Sequence, residues 1–259
     1  MLTRLMYVLP FSYFWSTRLR QGSISFHVLF EWLAAAMLVA ALADGAVWED
    51  LLLSLLSYLA FISLYEVGYV TNDLIMAPKE QGGRTRGPQG TSTAWLAFWI
   101  TMRIVVFLAV TIALNRLASL QWWGFFLALG IVFAFHNGLA DRELKTGTFL
   151  WLSLFRFMAP AVFVVPPDQV LGIGLACAMS YSAFRQFGYL DSKGLLQMPG
   201  RKRPGFRWAF FMWPLLGALA IGPLPGARGF VFLTCYFAVV ASLGVLATQY
   251  RKPSLKPGN

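Results

Sequence analysis

The sequence is poor in charge for its size, since charged residues fill only 12% of its 259 positions. Soluble domains carry about 25% charged residues, so half that density cannot cover a water-exposed surface of this size. Cysteine is also scarce: Cys177 and Cys235 lie in apolar stretches, and their spacing fits neither a disulfide framework nor a metal site. Nucleotide-binding, zinc-binding and serine-hydrolase motifs are missing from the sequence. These absences argue against an ordinary soluble domain and favour a membrane protein.

Long apolar runs dominate the chain, and 58% of its residues are hydrophobic. A helix needs about 20 mostly apolar residues to cross the hydrocarbon core of a bilayer. The runs lack the alternation of barrel strands, so we predict an all-α integral membrane protein with one transmembrane domain over residues 1–259. We predict a bundle of eight transmembrane helices at residues 25–42, 51–71, 94–114, 121–138, 148–166, 169–188, 206–223 and 229–248.

The positive charge of the chain, +10 overall, is concentrated in alternate loops. Placing the N-terminus in the cytoplasm puts 16 of the 21 lysines and arginines on the inner side and leaves only Arg116 and Arg228 in outer loops. We therefore predict that both termini are cytoplasmic. Long basic loops follow the second and sixth spans, a spacing that suggests two four-helix halves. Charge in short loops favours membrane lipid and phosphorylated substrates as partners, and not nucleic acid.

The sequence carries no recognisable organelle address. No small-residue cleavage site follows the apolar part of residues 1–21, so we predict no cleavable signal. The charge bias of the loops predicts a multi-pass protein whose functional face is cytoplasmic. On the assumption of a bacterial cell, its membrane is the plasma membrane.

A polar cluster marks the C-terminal end of the second span. Glu66 and Asp73 are seven residues apart and share a helix face, and Asn72 precedes Asp73. Carboxylate and amide oxygens suit Mg²⁺, while bases and backbone N–H groups suit phosphate. The alternative is a helix end with an Asn-Asp turn and a solvated loop. The glycine-rich loop beyond the cluster contains the charged residues Lys79, Glu80, Arg84 and Arg86.

The pair Asn72-Asp73 resembles the start of the first aspartate-rich motif, N-D-x-x-D-x-x-x-D, of the UbiA superfamily of intramembrane prenyltransferases. The stretch 135–160, which contains Arg142 and Lys145, is similar to the region around the family's fifth helix. Eight or nine helices, basic cytoplasmic loops and motif loops after helices two and six are typical of the family. The resemblance implies Mg²⁺-dependent transfer of a prenyl group from a prenyl diphosphate to an acceptor, with the metal stabilising the departing diphosphate.

The motif positions differ from the family pattern in part. Met76 stands at the third position of the first motif and Glu80 at the fourth, and Asp191 is what remains of the second motif, D-x-x-x-D. The resemblance implies catalytic roles for Asp73 and Asp191 and one Mg²⁺ held by Asn72, Asp73 and Glu80. The bases that would bind the isoprenoid or polyprenyl phosphate groups are Arg84, Arg86, Arg142, Lys145, Arg156, Arg185 and Lys193.

Two other functions stay open at this point. One branch of the superfamily lacks the second aspartate pair, and this sequence resembles it in that respect. Enzymes of that branch transfer a phosphoribosyl group from phosphoribosyl diphosphate to a polyprenyl phosphate. The segment 185–190 is weakly similar to the basic-aromatic segment of that branch. The second alternative is a bundle that binds or transports a lipid without catalysis, since charged residues inside spans also occur in transporters.

Several charged residues lie within the predicted spans, where a charge normally faces the bundle interior and pairs with a partner. Arg103 is predicted to pair with Glu66 or Glu31. Arg156 and Arg185 lie nearer the inner ends of the fifth and sixth spans, where they either extend towards the headgroups or contact phosphate.

Overall fold

A computed structural model describes residues 5–20, 22–79 and 86–250 of the chain. It is 79% helical, and no strand is present in these ranges. Eight long helices, named α1 to α8 in chain order, follow a short N-terminal helical segment at residues 12–19. Their bounds are Ile24–Leu42, Val47–Met76, Thr93–Ala113, Leu120–Gly138, Leu144–Met158, 167–192, Pro204–Ile221 and Arg228–Tyr250.

Several of these helices are long and apolar enough to cross a bilayer. Among the described residues, α1, α2, α3, α4 and α8 satisfy both conditions. The prediction of an all-α, multi-pass membrane protein is confirmed to this extent. Helix α2 is 30 residues long, nine more than the predicted window 51–71, because it begins four residues earlier, at Val47, and continues for five more through a π-helical turn at Asn72–Met76.

The fifth predicted window, 148–166, differs most from the helix found there. Helix α5 begins at Leu144 and ends at Met158, and turns follow it. Pro160 has no N–H to donate to a helix, and Pro166 and Pro167 limit any continuation. The apolar composition of this stretch therefore predicted its burial but not where its helix ends.

The chain divides into two compact units, Met1–Val165 and Pro166–Asn259. Unit 1 contains the N-terminal segment and α1 to α5, and unit 2 contains α6 to α8. In unit 2, α8 packs against both α6 and α7. The division therefore gives five and three helices, whereas the loop lengths suggested four and four.

Aromatic rings form much of the core of unit 1. Trp122 stacks on Phe107 with the ring centroids 6.2 Å apart, and its indole N–H donates to the Thr111 hydroxyl at 3.1 Å. Closer to the C-terminal end of α2, the Tyr65 and Phe133 rings meet edge to face. A side chain at Gly68 would collide with Phe133, so this glycine is needed for the close approach of α2 and α4. The polar cluster of α2 thus lies next to closely packed aromatic side chains.

Gly226, between α7 and α8, provides a test of the packing in unit 2. Its φ is +73°, and a Cβ there would press against the backbone carbonyl of Asp168. We expect Gly226→Ala to lower the free energy of unfolding by about 1–3 kcal/mol, since strain and backbone overlap add. Gly244→Ala is the matched control, because the added methyl group would have no atom within 4 Å apart from its chain neighbours and the backbone of its own helix, α8. Equal effects of the two substitutions on thermal unfolding in detergent would contradict this packing.

Candidate functional site

The centre of the candidate site is the Asp73 carboxylate, which lies in the π-helical turn at the C-terminal end of α2. Asp73 is fully buried, and three donors surround its oxygens. The Tyr13 hydroxyl donates to Oδ2 at 3.1 Å, and Arg18 and Asn72 donate to Oδ1 at 2.9 and 3.0 Å. The Arg18 guanidinium also lies over the Tyr69 ring, 4.3 Å from its centroid. Asp73 is therefore an ionic anchor for the N-terminal segment.

The Tyr13 hydroxyl is held in its donating form. Burial raises its pKa well above the ordinary value, and the neighbouring Asp73 carboxylate raises the pKa further. The same hydroxyl lies 3.5 Å from the backbone carbonyl oxygen of Arg86, and the Gly87 backbone, at φ +77°, passes close beside the ring. A side chain on Gly87 would come within 2.7 Å of the hydroxyl. Arg86 and Gly87 thus lie beside the side chain that donates to Asp73.

Glu66 lies two helical turns earlier on the same face of α2 and is paired with Arg103 of α3. The Arg103 Nε donates to Glu66 Oε2 at 3.0 Å, and both side chains are completely buried. The other carboxylate oxygen accepts the backbone N–H of Phe14 at 2.7 Å. Arg103 further donates to the carbonyl oxygens of Tyr7 and Trp99 at 2.9 and 3.1 Å. The predicted pairing of Arg103 with Glu66 is confirmed.

Glu31 of α1 takes a different partner from the one that the sequence suggested. Arg156 Nε donates to Glu31 Oε1 at 2.6 Å, and His27 Nδ1 lies 2.9 Å from Oε2. The Tyr58 hydroxyl donates to Oε1 at 3.2 Å. Arg156 also lies over the Phe14 ring, 4.2 Å from its centroid, with 1% of its surface exposed. Arg156 therefore belongs to a buried ion pair, and does not extend towards the headgroups.

These contacts join the N-terminal segment to a line of three acids. Asp73, Glu66 and Glu31 are each balanced by an arginine, and the N-terminal segment contacts all three pairs through Tyr13, Arg18 and Phe14. Burying an ion pair is costly unless further hydrogen bonds complete it, as they do here. The network fixes the end of α2 and the short segment that covers it.

Sequence reasoning missed four members of this network: Tyr13, Arg18, His27 and Tyr58. His27 and Glu31 are four residues apart, a spacing that is readable as a pair on one helix face. Tyr13 and Arg18 lie 60 and 55 residues from Asp73, and no local pattern indicates that contact.

The other predicted phosphate ligands of unit 1 lie in two places. Arg142 is exposed just before α5, and Lys145 is buried in its first turn. The predicted phosphate ligand Arg84 and the predicted metal ligand Glu80 lie outside the described residues.

A Mg²⁺ ion does not fit the described arrangement as it stands. Both Asp73 oxygens are taken, and the Arg18 guanidinium already places a positive charge at the carboxylate. Within residues 5–20, 22–79 and 86–250, no group of three or more His, Cys, Asp or Glu side chains could hold a metal ion. A cation at Asp73 would have to displace Arg18.

An apolar cavity of about 510 Å³ opens between α1 and α2 in unit 1. Its lining includes Phe11, Trp32, Leu55, Tyr58 and Ile62. The Trp32 indole N–H donates to the Tyr58 hydroxyl at 3.0 Å, and that hydroxyl donates in turn to Glu31. Cavities of a few hundred Å³ with mostly apolar walls and a few polar groups suit small lipophilic ligands.

The predicted site residues of unit 2 lie near the C-terminal end of α6. Asp191 accepts from Arg201 at 3.3 Å and from the backbone N–H of Met198 at 3.4 Å. Arg185 donates to the Tyr181 hydroxyl at 2.8 Å. The ammonium group of Lys193 lies 5.7 Å from the centroid of the Tyr189 ring. Asp191 thus forms an ion pair with Arg201 in this unit.

Comparison with known proteins adds no relative. No family model, no curated protein and no solved structure matches the chain. An activity for this protein therefore has to be inferred from its own residues and their contacts.

Proposed function

We propose that the chain is a membrane transferase of the UbiA type, which moves a prenyl group from a prenyl diphosphate to an acceptor. The observation that carries the proposal is the end of α2, where Asn72 and Asp73 stand at the family's motif positions. Asp73 is fully buried there beside Arg18 and Tyr13, and the Tyr13 hydroxyl also lies near the backbone carbonyl oxygen of Arg86. An acid fixed by an arginine beside a loop rich in bases is an environment suited to a diphosphate group.

Five helices satisfy the length and composition criteria for crossing a membrane, and the proposed topology adds three more. We propose that α5, α6 and α7 also cross the bilayer, which gives eight spans with both termini in the cytoplasm. The charge bias of the loops supports this arrangement. It places Asp73 and the basic loops at the cytoplasmic face, in the plasma membrane of a bacterial cell.

Prenyl transfer requires the protein to stabilise the departing diphosphate. The bond between C1 of the prenyl chain and the diphosphate oxygen breaks, the electron pair leaves with the diphosphate, and the acceptor forms the new bond at C1 and releases a proton. Positively charged donors that hold the departing diphosphate lower this barrier. Arg18, Arg86, Arg142 and Lys145 of unit 1 are the bases that we assign to this role. The apolar cavity between α1 and α2 would hold the hydrocarbon chain.

The need for Mg²⁺ stays a prediction of the family resemblance. The ion would neutralise charge on the diphosphate, and its ligands would be Asn72, Asp73 and Glu80. In the structure, Arg18 already supplies a positive charge to the Asp73 carboxylate. Every binding measurement therefore includes one arm with Mg²⁺ and one with a chelator.

Phosphoribosyl transfer to a polyprenyl phosphate is the second candidate. The observation that favours it is Asp191, the one acid between residues 169 and 259, which is bonded to Arg201. A site with one acid and many bases suits an acceptor that already carries a phosphate.

A binding screen separates these candidates. We expect geranylgeranyl diphosphate to raise the thermal unfolding midpoint of the purified protein, and we expect Asp73→Asn to abolish that rise. Asp50→Asn is the matched control, because Asp50 is a buried acid at the opposite end of the same helix. A rise with phosphoribosyl diphosphate alone would favour the second candidate. Folded protein that responds to neither donor would instead indicate a non-catalytic lipid-binding bundle.

A further inference from the structure

Arg18 and Asp73 form an ion pair whose two members differ in exposure. The Asp73 carboxylate is fully buried, whereas 16% of the Arg18 side chain is exposed. Arg18 Nη2 donates to Asp73 Oδ1 at 2.9 Å. An arriving ligand can therefore contact the guanidinium of this pair, but it cannot contact the carboxylate.

Both members of the pair lie in π-helical turns. Arg18 belongs to the turn Trp15–Leu19, and Asp73 belongs to the turn Asn72–Met76. A π-helical turn contains an extra residue relative to an α-helix, and such turns are frequent at functional sites. The backbone of both segments therefore departs from α-helical geometry where the two charges meet.

The groups around the Asp73 carboxylate are hydrogen-bond donors and not metal ligands. Mg²⁺ needs oxygen ligands about 2.0–2.1 Å away and usually keeps several waters. The Tyr13 hydroxyl and the Asn72 amide instead donate to the carboxylate, and Arg18 adds a full positive charge. The carboxylate is thereby satisfied as an acceptor and neutralised as a charge.

Arg18 is held in this position by a buried segment. Its neighbours Thr17 and Leu19 are 2% and 0% exposed. The same segment is joined to α2 a second time, because the backbone N–H of Phe14 donates to Glu66 Oε1 at 2.7 Å. A cation that displaced the guanidinium would have to overcome these contacts as well.

We infer that Arg18 takes the place of a divalent cation at Asp73, so that the positive charge of this site is part of the chain. Asp73 is the residue that positions the guanidinium, and Arg18 is the residue that contacts the phosphate oxygens of a ligand. A guanidinium stays protonated at physiological pH and matches phosphate geometry with paired N–H groups. The charge at this site therefore does not depend on a supply of metal.

The role of Arg18 towards a phosphate ligand deepens the proposed transferase and rests on that proposed function. The exclusion of a divalent cation from Asp73 rests on the contacts of Arg18 alone. The family resemblance, by contrast, implies Mg²⁺ at Asp73. The two assignments predict opposite responses to the ion.

Cation titration of the purified full-length protein tests the inference without any prenyl or phosphoribosyl donor. The thermal unfolding midpoint is recorded with a chelator and with about 10 mM Mg²⁺. We expect no difference for the wild type, since Arg18 already neutralises Asp73. We expect Arg18→Ala to unfold at a lower temperature and to regain about 3 °C or more in Mg²⁺, because the vacated carboxylate binds the ion.

Three variants locate this response. R18A/D73N lacks the carboxylate and should not respond to Mg²⁺. Arg18→Lys keeps a positive charge at the position and should stay insensitive to the ion. Arg20→Ala removes an exposed base from the same region and should respond as the wild type does.

Two outcomes would overturn the inference. One is a wild-type midpoint that rises in Mg²⁺ and loses this rise in Asp73→Asn, because the ion would then bind despite Arg18. The other is a folded Arg18→Ala protein that ignores Mg²⁺, because Asp73 would then hold no cation even without the arginine.

Binding of Mn²⁺, followed by the electron paramagnetic resonance of the free ion, decides the question if Arg18→Ala does not fold. Equal binding by the wild type and Asp73→Asn supports the inference, and a site that Asp73→Asn loses overturns it. A protein that releases no diphosphate from a prenyl donor would defeat the proposed transferase and leave these cation results unchanged. The two failures are therefore distinguishable.

Discussion

The Arg103→Met variant is expected to lose about 3–5 kcal/mol of its free energy of unfolding, because it leaves the buried Glu66 carboxylate without its ionic partner. Both members of this pair are completely buried, and the Arg103 guanidinium also satisfies the carbonyl oxygens of Tyr7 and Trp99. The substitution therefore removes the ion pair, the hydrogen bonds to two backbone carbonyl oxygens and a contact that holds the N-terminal residues. The change in the free energy of unfolding is measured by unfolding both proteins in mixed micelles of increasing dodecyl sulfate content.

A second variant distinguishes the ion pair from simple packing. E66Q/R103M removes both charges, so it should be more stable than Arg103→Met alone. Arg20→Met is the control, since Arg20 is exposed and close to the same segment. We expect it to change stability by no more than about 0.5 kcal/mol. A double variant as unstable as the sum of its two single substitutions would mean that Glu66 and Arg103 act separately.

The Arg18→Met variant is the second large expected effect. It leaves Asp73 buried with two neutral donors, Tyr13 and Asn72, and no positive charge. We expect a loss of about 3 kcal/mol, measured as above, and release of the N-terminal segment from α2. Faster cleavage of residues 12–19 by a protease in the folded protein would report that release.

The double variant R18M/D73N separates the structural role of this pair from the functional one. Removing both charges should restore most of the stability that Arg18→Met loses. It should not restore stabilisation by geranylgeranyl diphosphate, because the double variant lacks both Asp73, the centre of the proposed site, and Arg18, one of the bases assigned to the diphosphate. A double variant that is stable and still responds to the donor would show that the Asp73 pair is structural only.

Sequence reasoning predicted the apolar framework well, because lipid solvation demands long apolar helices. Each of the eight predicted windows falls on a helix, although five of the helices satisfy both span criteria. The same physical constraint predicted that Arg103 would need an acid, and Glu66 provides it.

The remaining contacts depend on which helices pack against each other. No local sequence pattern encodes that packing. Glu31 pairs with Arg156, 125 residues away, because α1 and the end of α5 meet in unit 1. The contact of Arg18 with Asp73 likewise needs the N-terminal segment to fold back over α2. The helical period shows which residues share a face, but it does not show what that face will meet.

The most direct test of the proposed activity is the release of diphosphate from geranylgeranyl diphosphate by membrane vesicles that contain the protein. Such vesicles retain the membrane lipids of the host cell as candidate acceptors, and Mg²⁺ is supplied in one arm and chelated in the other. We predict release by wild-type vesicles and a fall of about a hundredfold with R18M/D73N at equal protein content. Equal release by both proteins, or no release above vesicles that lack the protein, would contradict a transferase centred on Asp73.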